Sequence, residues 1–422
     1  MKITVPELKN ETVNMRIFKS KGGRGSAAPA EALSGEAPAK IWNRTFISVF
    51  TANMILNFAM QMSNSIIGKY TRTFDVATAV IGLVTSLFGL TALIFKFFSA
   101  PAIDTGNRKW ILTIAMLVIA AAMCGYSISF GVPMLVAFRL LQGAGQAFTA
   151  TCALTVASDT LPPEKMGTGI GYFMMTGAIS QTIAPTVSLK LADAIGFRAT
   201  FAMAGGLMLI GAFAASRIDL PFVRTKKFKV SLKNMIAMEA VIPALILCCL
   251  SIAFYNISSF LAIYGDVKGV GSNIGYYFTV YAVTMIFTRP LTGRLSDKFG
   301  PIKVMLPAMG CFAFSFFIIS FASNMWMFLF AAFVAAFGFG SCQPQIQALC
   351  MRLVPKERRG AASCTNYIGS DIGMLIGPVI AGYLVDYLGG YEIMWRIMTI
   401  PIAIAAIMLL VFRKRLINTV SP

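Results

Sequence analysis

The chain contains no histidine. That removes imidazole acid–base chemistry, zinc sites built on His, and the simplest proton switch near neutral pH. Charge is scarce as well: only 13% of the 422 residues are Asp, Glu, Lys or Arg, against about a quarter in a soluble globular protein. The cysteines at 124, 152, 248, 249, 311, 342, 350 and 364 show no CxxC spacing and all fall inside apolar runs. They read as small core residues rather than a disulfide framework or a metal site. No nucleophile–base pair and no phosphate-binding loop stands out, so the chain is not expected to be an enzyme and implies no cofactor. The first 40 residues lack the short apolar stretch of a signal peptide. Polar, basic and rich in Gly, Ala, Pro and Ser, they read as a disordered cytoplasmic tail.

What the chain has is apolar surface. Hydrophobic residues make up 57% of it, with 34 Phe and 25 Met, a composition that belongs in a lipid bilayer. A formal charge of +19 would suit nucleic acid, but the cations cluster in short segments between apolar runs. That placement orients a membrane protein and argues against a nucleic-acid partner.

A bilayer-crossing helix needs about 20 mostly apolar residues. Twelve such segments are predicted, near 45–67, 78–98, 110–130, 133–157, 168–190, 198–217, 236–263, 273–293, 303–322, 325–350, 361–385 and 392–412. Alternate connections then sort the cations. Six (Lys69, Arg72, Lys190, Arg198, Lys268 and Arg396) fall on one side, and most of the remaining thirty fall on the other. The asymmetry places both termini in the cytoplasm of a multi-pass protein of the cell membrane. The polar stretch RIDLPFVRTKKFKVSLKN, 217 to 234, divides the spans six and six. The expected organisation is a tail (1–40), a six-helix bundle (41–217), a cytoplasmic linker (218–234), a second bundle (235–415) and a short tail (416–422).

The two halves repeat. RPLTGRLSDKFGPIK at 289–303 is echoed by KFFSAPAIDTGNRK at 96–109, with Asp297 193 residues after Asp104 and Arg289 193 after Lys96. The same offset relates Gly145 to Gly338, Gly167 to Gly360, Pro185 to Pro378 and Gly196 to Gly389. A shift of six spans preserves orientation, so the halves are parallel repeats about an axis along the membrane normal.

At these residues the chain resembles the major facilitator superfamily, whose box between spans 2 and 3 reads roughly Gly-x-x-x-Asp-Arg/Lys-x-Gly-x-x-Arg/Lys. The second half matches with Gly293, Asp297, Lys298, Gly300 and Lys303. The first half keeps Asp104 but has Ala100, Thr105 and Asn107 at the next positions, and its cations Arg108 and Lys109 fall short of the last one, Trp110. The resemblance covers residues 42 to 415. It implies an all-α membrane protein, with 12 transmembrane helices in two pseudo-symmetric six-helix bundles, that acts as a monomer on a small-molecule substrate. In that family the boxes latch the halves on the cytoplasmic side, and Asp159 is the expected local partner of the first. A capping Asp and a turn-reversing Gly or Asn, here Gly300 or Asn107, suit such a box.

Few ionisable groups lie inside the spans, and each is a functional candidate by default. Arg139, in RLLQGAGQA, resembles the family's span-4 motif Arg-x-x-Gln-Gly, whose Arg is tied to proton coupling. Gln142 and Gln146 fall within about 60° of it on a helix. Asp371 lies about 15 Å deep in span 11. Gly369, Gly373 and Gly377 form a small-residue packing face, and Asp371 points about 200° away from Gly369. It is therefore expected to face the central cavity or a third helix, and to exchange a proton. Asn53, Asn57, Gln61 and Asn64 gather on one side of span 1, placed either to meet a polar ligand or water or to bond a neighbouring helix. Tyr255 and Asn256 on span 7, with Gln343 and Gln347 on span 10, are weaker candidates. Glu239 is expected at the interface and Lys96 to snorkel to the cytoplasm, neither with a substrate role. Pro185 and Pro378 suit spans that flex. The span-5 signature Gly-Pro-x-x-Gly-Gly of the family's drug–proton antiporters is matched in part by the first half, with Ala184-Pro185 and Ser188-Leu189, and more closely by IGPVIAG of the second. Together with the span-4 Arg motif, the resemblance points to proton-driven efflux. The alternatives are proton-coupled uptake of a polar nutrient and a non-transporting sensor.

Overall fold

The computed structural model describes residues 41–161, 166–218, 236–355 and 358–418. The N-terminal tail, nearly all of the linker and the last four residues lie outside them. The helices are α1 (Arg44–Arg72), α2 (Thr78–Thr105), α3 (Arg108–Ser127), α4 (Val132–Asp159), α5 (Met166–Ile195), α6 (Phe197–Ser216), α7 (Val241–Val267), α8 (Gly275–Phe299), α9 (Pro301–Phe321), α10 (Met325–Arg352), α11 (Arg359–Leu388), α12 (Tyr391–Ile397), α13 (Thr399–Val411) and α14 (Arg413–Asn418). No strand occurs among the described residues. α12 and α13 are one span interrupted at Met398. Pro401 lies just beyond the interruption and has no N–H to continue the ladder.

Nine spans among the described residues are long and apolar enough to cross a membrane. The other three, α4, α5 and α8, have 28, 30 and 25 residues. They fall short on composition alone, and they bring Arg139, Gln181 and Arg289 to the interior. The fold is thus the expected all-α membrane fold. We call the end where the chain leaves at Ile218 and returns at Ile236 the linker face, and the other end the far face.

The repeat read from the sequence recurs as packing. α1 lies along α5 and α6, α2 along α4, and α3 along α4 and α6; six spans later, α7 lies along α11 and α13, α8 along α10, and α9 along α10 and α13. Across the middle, α2 packs on α11 and α5 on α8. Equivalent glycines make equivalent approaches. Gly82 meets Pro378 and Val379 of α11, and Gly275, 193 residues on, meets Thr186 of α5. Gly145 meets Ile119 of α3, and Gly338 meets Phe312 of α9. Gly196 and Gly389 both adopt positive φ, 84° and 107°. The Tyr70 hydroxyl donates to the Ser129 carbonyl at 3.1 Å, and the Tyr264 hydroxyl to that of Ser320 at 3.2 Å. The stripe on α11 packs as expected: Gly369, Gly373 and Gly377 abut the backbone of α7 at Ala244, Cys248 and Ile252.

The turns at the linker face correct two expectations. Asn107 is not left-handed: its φ is −72°, and its side chain caps α3 by accepting from the Lys109 N–H at 3.1 Å. Only the second turn uses positive φ, at Gly300 (φ 87°) before Pro301. Nor do the box aspartates begin a helix. Asp104 and Asp297 lie in the last turns of α2 and α8, where their negative charge cannot serve as an N-cap.

Candidate functional site

A cavity of about 410 Å³ lies at mid-depth between the two helix sets, within the size range of small-molecule sites. Its N-terminal wall is polar, formed by Asn57, Gln61 and Asn64 of α1 and Arg139 of α4. Its C-terminal wall is aromatic, formed by Phe254 and Tyr255 of α7, Tyr277, Phe278 and Tyr281 of α8, and Phe339 of α10. Phe254 and Phe339 stack at 4.0 Å with 6° between their planes. The Tyr277 hydroxyl is buried and has no hydrogen-bond partner among the described residues.

Arg139 is 4% exposed, a burial that requires its donors to be satisfied. Its guanidinium donates to Asn64 Oδ1 at 2.9 Å, Gln142 Oε1 at 2.8 Å and the Thr85 carbonyl at 3.2 Å, and stands over the Phe88 ring at 4.9 Å. Nε has no partner. Gln142 is held in turn by the Tyr126 hydroxyl, which donates to Oε1 at 2.7 Å. No carboxylate among the described residues neutralises the guanidinium directly. Amide oxygens, a carbonyl and a ring share its charge.

Asp371 meets a third helix, as its angle on α11 allows. It forms an ion pair with Lys96 of α2, across the two helix sets. Lys96 therefore does not snorkel to the interface; it turns back along α2 toward the buried carboxylate. The reason is its partner, since an unpaired Asp371 at this depth would cost more than the lost hydration of Lys96. The pair lies on the linker side of the cavity: Met374, one turn along α11, lines the cavity, and Asp371 does not. Tyr255 stands between the two, lining the cavity and lying close to Ser370 and Asp371.

The structure divides the other candidates. Asn57, Gln61 and Gln343 line the cavity, as do Pro185 and Pro378. Asn53 instead donates to Thr176 Oγ1 of α5 at 2.7 Å, as interhelical glue. Gln146 accepts from Thr149 within α4 at 3.1 Å. Asn256 is fully buried in packing, its amide donating to the Ile252 carbonyl at 2.7 Å. Gln347 donates to Ser363 Oγ at 2.9 Å and accepts from Asn366, tying α10 to α11. Lys96, Arg289 and the aromatic wall apart from Tyr255 are the residues that sequence reasoning passes over. The 193-residue offset between Lys96 and Arg289 was the one signal that marked those two.

Among the described residues, the ion pairs of the charged boxes at the linker face stay inside their own helix sets; the Asp104 side chain lies outside those described. Arg108 binds Asp159, the expected partner, and Arg352 lies 3.7 Å from Asp297. Arg358 donates to Glu239 at 2.7 Å. Lys109 and Lys298 stand over the rings of Trp110 and Phe299, and Lys303 is exposed. Polar contacts between the helix sets instead gather at the far face. Lys69 meets Asp266 at 2.9 Å, Lys190 donates to the Tyr276 hydroxyl at 2.6 Å, and Thr279 donates to the Thr182 carbonyl at 2.8 Å. The Asp386 carboxylate accepts the backbone N–H groups of Thr78 and Ala79 at 3.0 and 2.8 Å, at the start of α2.

This architecture has known relatives. The sequence profile of the Major Facilitator Superfamily matches residues 49–277 and 243–419. The multidrug resistance protein MdtG of Enterobacter lignolyticus is 25% identical over 315 residues, 71% of this chain and 74% of that protein. Its Salmonella typhimurium namesake is 24% identical over 71% of this chain and 77% of its own length. Among solved structures, a bacterial homologue of the human lysosomal transporter Spinster superposes with a TM-score of 0.74 at 17% identity, covering 89% of this chain and 97% of its own. The nucleoside transporter NupG superposes with a TM-score of 0.71 at 11% identity, covering 88% and 99%. A profile match across nearly all the helices, on a duplicated bundle around a central cavity, establishes that the chain belongs to the Major Facilitator Superfamily and is a multi-pass secondary active transporter of small molecules.

Proposed function

We propose that the chain is a proton-driven exporter of a small organic molecule, working by alternating access. The observation that carries this reading is the Lys96–Asp371 pair, which spans the two helix sets beside the cavity. A carboxylate that exchanges its lysine partner for a proton loses its hold on the other half. Protonation of Asp371 is then the event that frees α2 from α11. Tyr255 lets the cavity sense that change through Ser370, and Arg139 holds the polar wall in register for the substrate. Export, rather than uptake, follows the multidrug resistance relatives.

The excess of Lys and Arg at the linker face supports a cytoplasmic location for that face and for both termini. The far-face contacts then describe a state closed to the outside. The bundles at 41–217 and 235–415, joined by the 218–234 linker, rock as two bodies about the cavity, and one copy of the chain holds the whole site. The linker-face boxes, now paired within each half, exchange partners across the halves when that face closes.

The test is flux in vesicles reconstituted with the full chain, with and without a pH gradient. Extrusion that collapses with the gradient is expected, and Asp371→Asn should abolish gradient-driven flux while leaving insertion intact. Full flux in that variant removes Asp371 from the coupling role. Substrate moving in the same direction as protons makes the chain an importer, and the amide row Asn57, Gln61 and Asn64 its binding wall.

A further inference from the structure

The internal repeat offers a control that few proteins carry. α2 on α11 and α8 on α5 are the same contact made twice, in one register: Gly82 abuts Pro378–Val379, and Gly275 abuts Thr186. Along that register, Lys96 is equivalent to Arg289 and Asp371 to Ala178, each 193 residues apart. In the first copy, cation and carboxylate form an ion pair. In the second the cation is kept and the carboxylate is missing.

Arg289 and Ala178 both line the central cavity. Arg289 is exposed, and no carboxylate among the described residues lies within ion-pair distance of its guanidinium. Asp297 shares a smaller adjoining pocket with Arg289 but belongs to Arg352. A guanidinium within the bilayer's depth needs an anion or a set of acceptors. The N-terminal wall gives Arg139 its acceptors; on the cavity side Arg289 meets Tyr281, Met285 and Phe339, and Thr292, Ser296 and Gln345, which share the adjoining pocket with it, make no hydrogen bond to its guanidinium among the described residues.

We infer that the substrate itself supplies the missing anion: a carboxylate, sulfonate or phosphate group that docks on Arg289 in the space over Ala178. The rest of the molecule is apolar or aromatic and lies against Phe254, Phe339 and Tyr281. The guanidinium fork suits two parallel hydrogen bonds to such a group. The inference rests on the reading of this cavity as the substrate site and names the class of molecule it takes.

Three probes of one shape separate the possibilities: 2-naphthoate, its neutral amide, and the cationic 2-naphthylmethylammonium. Equilibrium binding of each is measured to the full-length protein in nanodiscs. The wild type should prefer the anion. Arg289→Gln should weaken naphthoate by about tenfold or more, the scale of a charge-assisted pair, while changing the amide little. Ala178→Asp, which restores the carboxylate of the first copy, should do the same by occupying Arg289 from within. The double variant, with a carboxylate and no cation, should favour the ammonium probe. Should Ala178→Asp fail to fold, Arg289→Gln decides alone, since its side chain is not packed in a core. An unchanged ratio of naphthoate to amide binding in Arg289→Gln overturns the inference and leaves the cavity reading standing, provided Phe254→Ala still weakens both. If no probe binds, or Phe254→Ala has no effect on any, the cavity reading fails and the inference falls with it.

Discussion

The two walls of the cavity come from equivalent helices, and they differ in chemistry. On α4, Arg139 lines the N-terminal wall with Gln142 behind it and Gln146 bonded within the helix; 193 residues on, α10 has Ala332, Ala335 and the wall residue Phe339. On α2, Thr85 and Phe88 answer to Phe278 and Tyr281 of α8. The first wall is a hydrogen-bonded network around one buried guanidinium, the second a set of rings around an unpaired one. Meanwhile the packing positions agree: Gly82 with Gly275, Gly145 with Gly338, and Gly196 with Gly389 make matching contacts or turns. The difference teaches where the two copies were constrained alike. A helix crossing tolerates no added atom where backbones touch, whereas a cavity wall accepts any side chain that its occupant accepts. A duplicated carrier therefore keeps its joints and specialises its lining, giving one wall that orients polar groups and one that takes apolar surface.

Making the first wall resemble the second should have the largest effect. Arg139→Ala with Gln142→Ala copies the alanines of α10 into α4. It strips the partners from the half-buried Asn64 and from the fully buried Tyr126 hydroxyl, the latter costing about 1–3 kcal/mol when unpaired. Loss of transport with a clear fall in the thermal unfolding midpoint is expected, and Arg139→Ala alone should already lower flux by on the order of tenfold or more, about the worth of its charged hydrogen bonds. Normal flux in the double variant would make the network ornamental.

The reverse exchange is milder. Phe339→Gln places in α10 the residue that α4 has at 146, and it breaks the stack with Phe254. An aromatic pair adds about 0.5–1.5 kcal/mol beyond its buried area, and Phe339 is itself buried, so KM should rise several-fold with kcat little changed and the unfolding midpoint lowered. A fall in kcat at constant KM would show that the stack serves the conformational cycle and not the binding of apolar surface.

The smallest contrast lies in the turns. Gly300→Ala forces a Cβ into a φ of 87° and should cost about 1–2 kcal/mol. Asn107→Gly keeps a tolerated capping residue at the equivalent point and should cost only a few tenths of a kcal/mol. Unfolding midpoints of the two single variants decide this. Equal losses would mean that the two turns are more alike than their dihedral angles.

Much of this molecule is legible along the chain. Spans, the linker, the repeat and the α11 packing stripe follow from apolar run length, charge placement and spacing by fours, which are local properties that survive in any tertiary setting. The same logic found Arg139 with Gln142, and Asp371 turned away from Gly369. It could not rank the four amides of α1, since Asn53 and Asn57 share a side of the helix and only the presence of Thr176 across from Asn53 makes it glue. It sent Lys96 to the interface, because a long flexible stem reaches either way and a distant carboxylate 275 residues on decides which. Arg289 looked like one more interface cation until α5 placed Ala178 where an aspartate stands in the other copy. Which residues the chain puts in the bilayer is a matter of composition and period. Which of them meet is decided by helix rotation and by neighbours remote in sequence, and only the packed structure contains that.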